Sequence, residues 1–426
     1  MSQYKQFIFK DYRFVTETKS LELVYGIDDA FEFKETYTFN FDFQPYQQEA
    51  LDRALQLLFF MAGVSYYKTF LPDEIVIEKG SLDKVTADFL SQTWQNGLGE
   101  FFFVNKLDPR RKISFPVNAE NVDPVHAELA GKLVGLGGGK DSLVSIELLR
   151  GEEDLATWSV GHKKQLSPLV ERVGLPHFWV DRQWDRQLLS LNEQGAYNGH
   201  VPISAILACV GTVVAVLSGK RDVVVSNEFS ANEPTLEYQG VQVNHQYSKS
   251  QAFETAFQAV LQSKFGDSLR YYSLLRPLSE LRIAELFATS GFETYQDVFS
   301  SCNRAFTHDS NHIFWDGTCP KCAFVFLALT PFVPREKIES LFGGKNLLLD
   351  PGLDVTYRQL LGIEGGKPLE CVGEVRESRQ AMRLAQPAYP ALDRYQFELP
   401  DDYDFRALQA GSMPDEVWQQ IENKLR

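Results

Sequence analysis

Three consecutive glycines constrain what this 426-residue chain can fold into more than any other feature. The run Leu136-Gly137-Gly138-Gly139-Lys140-Asp141-Ser142 follows residues 132–136, a short apolar stretch that suits a buried strand. It leads into residues 142–149, whose apolar positions recur at helical spacing. A strand, a tight glycine turn and a helix in that order make one unit of a parallel sheet. The same grammar continues downstream. Residues 156–160 read as a strand and 166–173 as a helix stopped by Gly174. Residues 177–180 read as a third strand, 201–217 as a long apolar helix and 222–225 as a fourth strand. The expected class is therefore α/β, a parallel sheet with helices on both faces. In such sheets the ligand residues follow the strands.

The first 120 residues read differently. They are rich in Phe and Tyr, and residues 37–43, Y-T-F-N-F-D-F, alternate as half-buried antiparallel strands do. Residues 47–63 carry Leu51, Leu55, Leu58 and Phe59 at helical spacing, and Gly97-Leu98-Gly99-Glu100 breaks the chain before the apolar run 101–104. A Pro- and Asn-containing stretch at 115–124 reads as a linker. Three regions follow: an aromatic-rich α+β domain at 1–120, an α/β domain at 125–300, and a mostly helical, cysteine-containing region at 301–426. A formal net charge of −15 argues against a general nucleic-acid binder, which needs excess Lys and Arg. No apolar run reaches the roughly 18 residues of a membrane span, and residues 1–14 hold no apolar signal core. A cytoplasmic protein with no membrane partner is expected.

The glycine turn is also the strongest chemical signal. Its backbone N–H groups and the helix behind it form an anion site. Ser142 offers a hydroxyl, Lys140 a mobile positive charge, and Asp141 fits there when Mg²⁺ bridges it to phosphates. The bland reading is a plain turn with Asp141 and Ser142 as helix caps. It is no Walker A loop, because Lys-[Ser/Thr] does not follow G-x-x-x-x-G. After the fourth strand comes Ser226-Asn-Glu-Phe-Ser-Ala-Asn-Glu233, where Glu228 is a candidate Mg²⁺ ligand or base. His200, two residues before Pro202, faces a site or caps the apolar helix; His245 and Tyr247 are weaker candidates. Cys319-Pro-Lys-Cys322 with Cys302 and Cys371 offers four thiolates for a closed zinc site, against the alternative of ordinary buried thiols. Cys302 alone is also a candidate acid–base thiol.

The turn resembles the PP-loop of the N-type ATP pyrophosphatase superfamily, whose usual form is Ser-Gly-Gly-x-Asp-Ser. Gly137 stands where the first Ser is usual; Gly138, Gly139, Asp141 and Ser142 match, and Lys140 fills the variable position. That resemblance implies ATP and Mg²⁺, attack of an oxygen on the α-phosphorus, and release of pyrophosphate. It also implies that residues 137–142 hold the nucleotide and that Asp141 holds the metal. Further segments narrow it: Gly97-Leu-Gly-Glu-Phe101, Gly199-His-Val-Pro202, Ser226-Asn-Glu-Phe-Ser-Ala-Asn232, Cys319-Pro-Lys-Cys-Ala-Phe324 and Lys367-Pro-Leu-Glu-Cys-Val-Gly-Glu374. Together, over residues 37–381, they resemble the MurL-type UDP-N-acetyl-α-D-muramoyl-L-alanyl-L-glutamate epimerases of peptidoglycan synthesis. The resemblance implies inversion of the terminal glutamate of that nucleotide-linked dipeptide, with AMP and pyrophosphate as products. Inversion needs two opposed proton-transfer groups, for which Asp141 as metal holder and Glu228, His200, His245 and Cys302 as bases are the candidates. Arg276, Arg282, Arg304 and Lys321 are candidates for holding the substrate's phosphates and carboxylates. Rival readings are a tRNA thiolase, a deazaguanine nitrile synthase, or a non-catalytic nucleotide-binding protein.

Overall fold

The computed structural model describes residues 4–306 and 310–425. Eleven strands occur among them: β1 (Gln6–Val15), β2 (Ser20–Ile27), β3 (Phe31–Phe39), β4 (Glu74–Ile77), β5 (Lys132–Gly135), β6 (Leu155–Val160), β7 (His177–Gln183), β8 (Asp222–Val225), β9 (Leu236–Tyr238), β10 (Val241–Val243) and β11 (Arg270–Ser273). Nine of them make one sheet in the order β11-β8-β5-β6-β7-β3-β2-β1-β4, and β9 and β10 pair as a separate hairpin. From β11 to β7 every pairing is parallel. Taken in chain order, those five strands lie 3-2-1-4-5, the doubly wound arrangement. The order reverses between β5 and β8, and that is where such a sheet opens a crevice for a ligand.

Side-chain alternation explains why these short strands are buried on both faces. On β5 and β8, Leu133 and Val223 join one apolar cluster, while their neighbours Val134 and Val224 join the other. The first cluster packs beneath helices Gln48–Ala62 and Ile203–Ser218; the second packs against helices Lys140–Leu149, Glu280–Ser290 and Pro320–Leu329. The long apolar run at 201–217 is therefore a helix, Ile203–Ser218, buried along nearly all its length apart from its first turn. No helix of the described residues is long and apolar enough to cross a membrane.

The aromatic N-terminal strands extend the same sheet. β3 pairs antiparallel with β7, Phe39 opposite Val180, and Asn40 N–H continues the contact by donating to the Trp179 carbonyl at 2.8 Å. The alternation read at 37–43 is real as far as Phe39; residues 40–43 run on without strand pairing. On β3, Phe33, Glu35, Tyr37 and Phe39 all point into the core. Glu35 is tolerated there because Arg182 Nε donates to it at 2.8 Å and Tyr37 OH at 2.5 Å. One sheet and one apolar cluster thus span the residues on either side of the 115–124 stretch. The described residues beyond 301 carry helices and no strand.

Candidate active site

The glycine loop occupies the crevice position. It leaves β5 at Gly135, and helix Lys140–Leu149 begins directly after Gly139, which caps it with no side chain. Its first backbone N–H groups are thereby left for a ligand. Gly138 has φ +96°, and a Cβ there would meet the Phe306 ring at 2.7 Å and the Ser300 carbonyl at 3.2 Å. Ser300 N–H in turn donates to the Gly138 carbonyl at 2.9 Å. Gly137 has open space around it, with no heavy atom within 4 Å of where a Cβ would sit. Ser142 donates its hydroxyl back to the Gly139 carbonyl at 3.0 Å.

Lys140 corrects one expectation. It is no mobile surface charge: its side chain is buried, and its ammonium is held by Asp141 and Glu280. Burial alone would push its pKa down, but these two carboxylates outweigh that and raise it. Glu280 is itself pushed up to about 8, chiefly by burial, with Asp141 and Glu228 adding to the rise. Behind it, Glu377 accepts the Glu280 backbone N–H at 2.8 Å and is likewise held at about 8 by burial and by Glu374. Asp141 and Glu280 therefore hold one lysine beside the loop, with Glu228 within electrostatic reach of Glu280. Asp141 is the more exposed of the lysine's two partners.

Glu228 lies buried after β8, in the segment that the sequence marks. That segment is tied down on all sides. Arg276 donates to the carbonyls of Glu228 and Lys249 while paired with Glu254. Ser226 meets Ser145 of the loop helix at 2.7 Å, and Lys367 pairs with Glu233 at 2.7 Å. Arg276 and Arg282, read as possible substrate cations, are instead buried braces. Arg282 donates to the Leu425 carbonyl and pairs with Glu285. Arg304 pairs with Asp316. Lys321 is half-buried, within electrostatic reach of Cys371.

The strongest constellation was only partly visible in the sequence. The segments Gly97–Glu100, Gly199–Pro202 and Val243–His245 pack directly on one another: a Cβ on Gly97 would strike Pro202 at 2.6 Å, and one on Gly99 would meet Val243 at 3.2 Å. This contact brings Glu100, His200 and His245 together. Glu100 is hydrogen-bonded to His245 Nδ1 and lies 3.7 Å from His200 Nδ1, and the two imidazole rings are 4.7 Å apart. His245 Nε2 faces the Cys371 thiol at 4.0 Å, and Lys249 donates to that thiol at 3.3 Å. Burial pushes the Cys371 thiol up, but Lys249, His245 and Lys321 bring it down to about 6. Burial pulls His245 down, but Cys371 and Glu100 hold it at about 9. Near neutral pH the pair is a thiolate facing an imidazolium, the activated form of a cysteine. His200 is pushed down to about 4 by burial and by His245, so it stays uncharged. Lys68, buried and bonded to Asn198 Oδ1 at 2.8 Å, is lowered to about 8 by burial. Lys249 is within electrostatic reach of Glu228 and Asp141 as well as Cys371, and so connects this group to the glycine loop.

Three further expectations are corrected here. Cys371 does not join the other cysteines; it belongs with His245 and Lys249. Among the described residues Cys302 has no acid–base partner of the histidine type; it is fully buried, and its metal-ligating neighbours are Asp316, Cys319 and Cys322. His200 does not cap the apolar helix, whose cap position is Pro202. Tyr247 is buried in a short turn just before Lys249. Reasoning from sequence missed Glu100, which sat inside a conspicuous segment, and gave Cys371 a place among the zinc thiols rather than beside His245. Lys249, Lys68 and Glu280 carried no local signal at all. Glu100, His200 and His245 also place three donor atoms within 4.8 Å of one another, a spacing that a divalent ion can bridge.

The chain matches two family models, the MurL N-terminal domain over residues 1–274 and the MurL C-terminal domain over residues 298–393. It is 42% identical over 403 residues to the UDP-N-acetyl-α-D-muramoyl-L-alanyl-L-glutamate epimerase of Xanthomonas oryzae pv. oryzae, covering 90% of this chain and 87% of that protein. It is 40% identical over 388 residues to the protein of the same name from Salinispora tropica, covering 89% and 84%.

Proposed function

We propose, since the chain belongs to the MurL family, that it is an epimerase that inverts the terminal glutamate of UDP-N-acetyl-α-D-muramoyl-L-alanyl-L-glutamate and drives the inversion with ATP. The observation that carries the ATP-driven reading is a junction. Lys249 donates to the Cys371 thiol of the thiolate–imidazolium pair, its carbonyl is tied through Arg276 to that of Glu228, and it lies within electrostatic reach of Asp141 in the glycine loop. The loop activates a carboxylate and the pair moves a proton, and the reaction needs both.

The chemistry follows from acidity. The α-proton of a glutamate beside a free carboxylate is very weakly acidic, because its removal builds a dianion. In the proposed route a carboxylate oxygen attacks the α-phosphorus of ATP and pyrophosphate leaves. The resulting acyl-adenylate has lost the carboxylate's charge, so its α-proton becomes far more acidic. Cys371 thiolate takes that proton, with His245 held by Glu100 as its proton partner. A proton returns on the opposite face from solvent, relayed by His200: uncharged at neutral pH, it gives up its ring N–H proton while its other nitrogen takes one from water, and the proton held by Cys371 goes back to solvent. Water then cleaves the mixed anhydride, giving AMP and the D-glutamyl product. Mg²⁺, when bound with Asp141, neutralises charge on the phosphates. Lys68, Lys249 and Lys321 supply the positive surroundings that an acidic chain needs for an anionic substrate.

The test separates the two half-reactions. Pyrophosphate release should depend on the dipeptide substrate and end in a D-glutamyl product. Asp141→Asn should abolish release. Cys371→Ala should keep pyrophosphate release but lose incorporation of solvent deuterium at the α-carbon. Full epimerisation by Asp141→Asn, or deuterium incorporation unchanged in Cys371→Ala, would refute the corresponding step.

A further inference from the structure

Outside the site just described, a second cluster of metal-ligating groups lies beneath the glycine loop. Sγ of Cys302, Cys319 and Cys322 and a carboxylate oxygen of Asp316 all lie within 4.8 Å of one another. Cys319 Sγ and Cys322 Sγ are 3.4 Å apart, and Cys322 Sγ is 3.1 Å from Asp316 Oδ1. A tetrahedral zinc with Zn–S of about 2.3 Å and Zn–O of about 2.0 Å spaces its ligands by roughly 3.5 to 3.8 Å, close to these edges. We propose that Cys302, Asp316, Cys319 and Cys322 form a closed structural zinc site.

The surroundings favour bound thiolates over idle thiols. Cys302 and Cys322 are fully buried and Cys319 nearly so. Cys319 caps the N-terminus of helix Pro320–Leu329, and the Cys322 N–H points at its sulfur, so the helix dipole favours negative charge there. Asp316 is held in place as metal ligands usually are. The N–H and hydroxyl of Thr318 donate to its two oxygens at 3.0 and 2.9 Å, and Arg304 pairs with its outer oxygen at 2.8 Å. Three thiolates and a carboxylate also make a closed ligand set, with no open position for catalysis.

The site's role follows from what it anchors. The Cys302 N–H donates to Ser300 Oγ at 3.0 Å, and Ser300 N–H donates to Gly138. Phe306 and Ser301 pack on Gly138 and Gly139. The metal therefore fastens the floor on which the glycine loop rests.

Protein purified without chelator from zinc-supplemented cells should carry about one zinc per chain by elemental analysis. Cys302→Ser, Cys319→Ser and Cys322→Ser should each lose it, and Asp316→Asn should weaken zinc binding about 10- to 100-fold. Cys371→Ser should keep it. Cobalt(II) added to the metal-stripped full chain should give a tetrahedral spectrum with thiolate-to-cobalt charge transfer. That measurement uses the unsubstituted chain, so it stands even if a cysteine variant fails to fold. Less than about a tenth of an equivalent of zinc with no cobalt–thiolate band would overturn the proposal. So would a Cys319–Cys322 disulfide in the purified protein, or zinc lost on Cys371→Ser.

Discussion

Gly138→Ala puts the loop's geometry to a quantitative test. At φ +96° an L-residue is strained by about 1–2 kcal/mol relative to glycine. The new methyl would also sit 2.7 Å from the Phe306 ring, 3.1 Å from Leu166 and 3.2 Å from the Ser300 carbonyl. The ring can turn away, but the carbonyl cannot move freely, because the Ser300 N–H is bonded to the Gly138 carbonyl. Overpacking of this kind costs about 1–3 kcal/mol, so the sum is about 2–5 kcal/mol. Gly137→Ala is the internal control. It has no positive φ and no heavy atom within 4 Å of the added Cβ, so its stability should stay within about 0.5 kcal/mol of the parent. Urea unfolding, read as a change in midpoint at constant slope, measures both. The apparent KM for ATP should rise for Gly138→Ala as the loop shifts. A Gly138→Ala protein as stable as the parent, or a Gly137→Ala protein as damaged as Gly138→Ala, would refute the reasoning.

Other outcomes follow from the same geometry. Cys371→Ala should lower kcat for epimerisation by about 10²–10⁴-fold, measured by chiral analysis of the released glutamate. The thiolate–imidazolium pair exists only above the pKa of Cys371, about 6, and below that of His245, about 9. The kcat/KM profile should therefore rise through about 6 and fall through about 9. Glu100→Gln removes the carboxylate that raises His245, so the alkaline limb should move to lower pH. Lys140→Met strands Asp141 and Glu280 without their cation and should cost about 3–5 kcal/mol by urea unfolding. Adding Glu280→Gln should recover part of that loss; a double variant less stable than the single would show that the lysine does not compensate this carboxylate.

Much of the sheet was legible because its signals are local. The fourth strand was read at 222–225 and is Asp222–Val225; Gly174 stops its helix in the left-handed conformation, as a glycine placed there does. Strand β11 was missed: Arg270–Ser273 is four residues long and shows no alternation. The junction of β3 with β7 was missed too, because pairing between residues 141 or more apart leaves no mark in either segment. The glycine loop announces itself through a backbone requirement that only glycine meets. Lys249 announces nothing, since it is one ordinary lysine among many, and although Glu100 and Cys371 lie in marked segments, nothing local pairs either of them with His245.

The sequence by itself determined the strand–loop–helix order, the glycine turn at the end of β5 and the pool of thiols and imidazoles. Each depends on neighbours along the chain, and periodicity and turn chemistry report those. Only the tertiary structure decided how the pool divides. It sent Cys371 to His245 and Lys249, and left Cys302, Cys319 and Cys322 with Asp316. It also turned Lys140 inward and made Arg276 a brace. A thiol's role is set by the charges within a few ångströms, and for Cys371 those charges come from Lys249 and His245, 122 and 126 residues away in the chain.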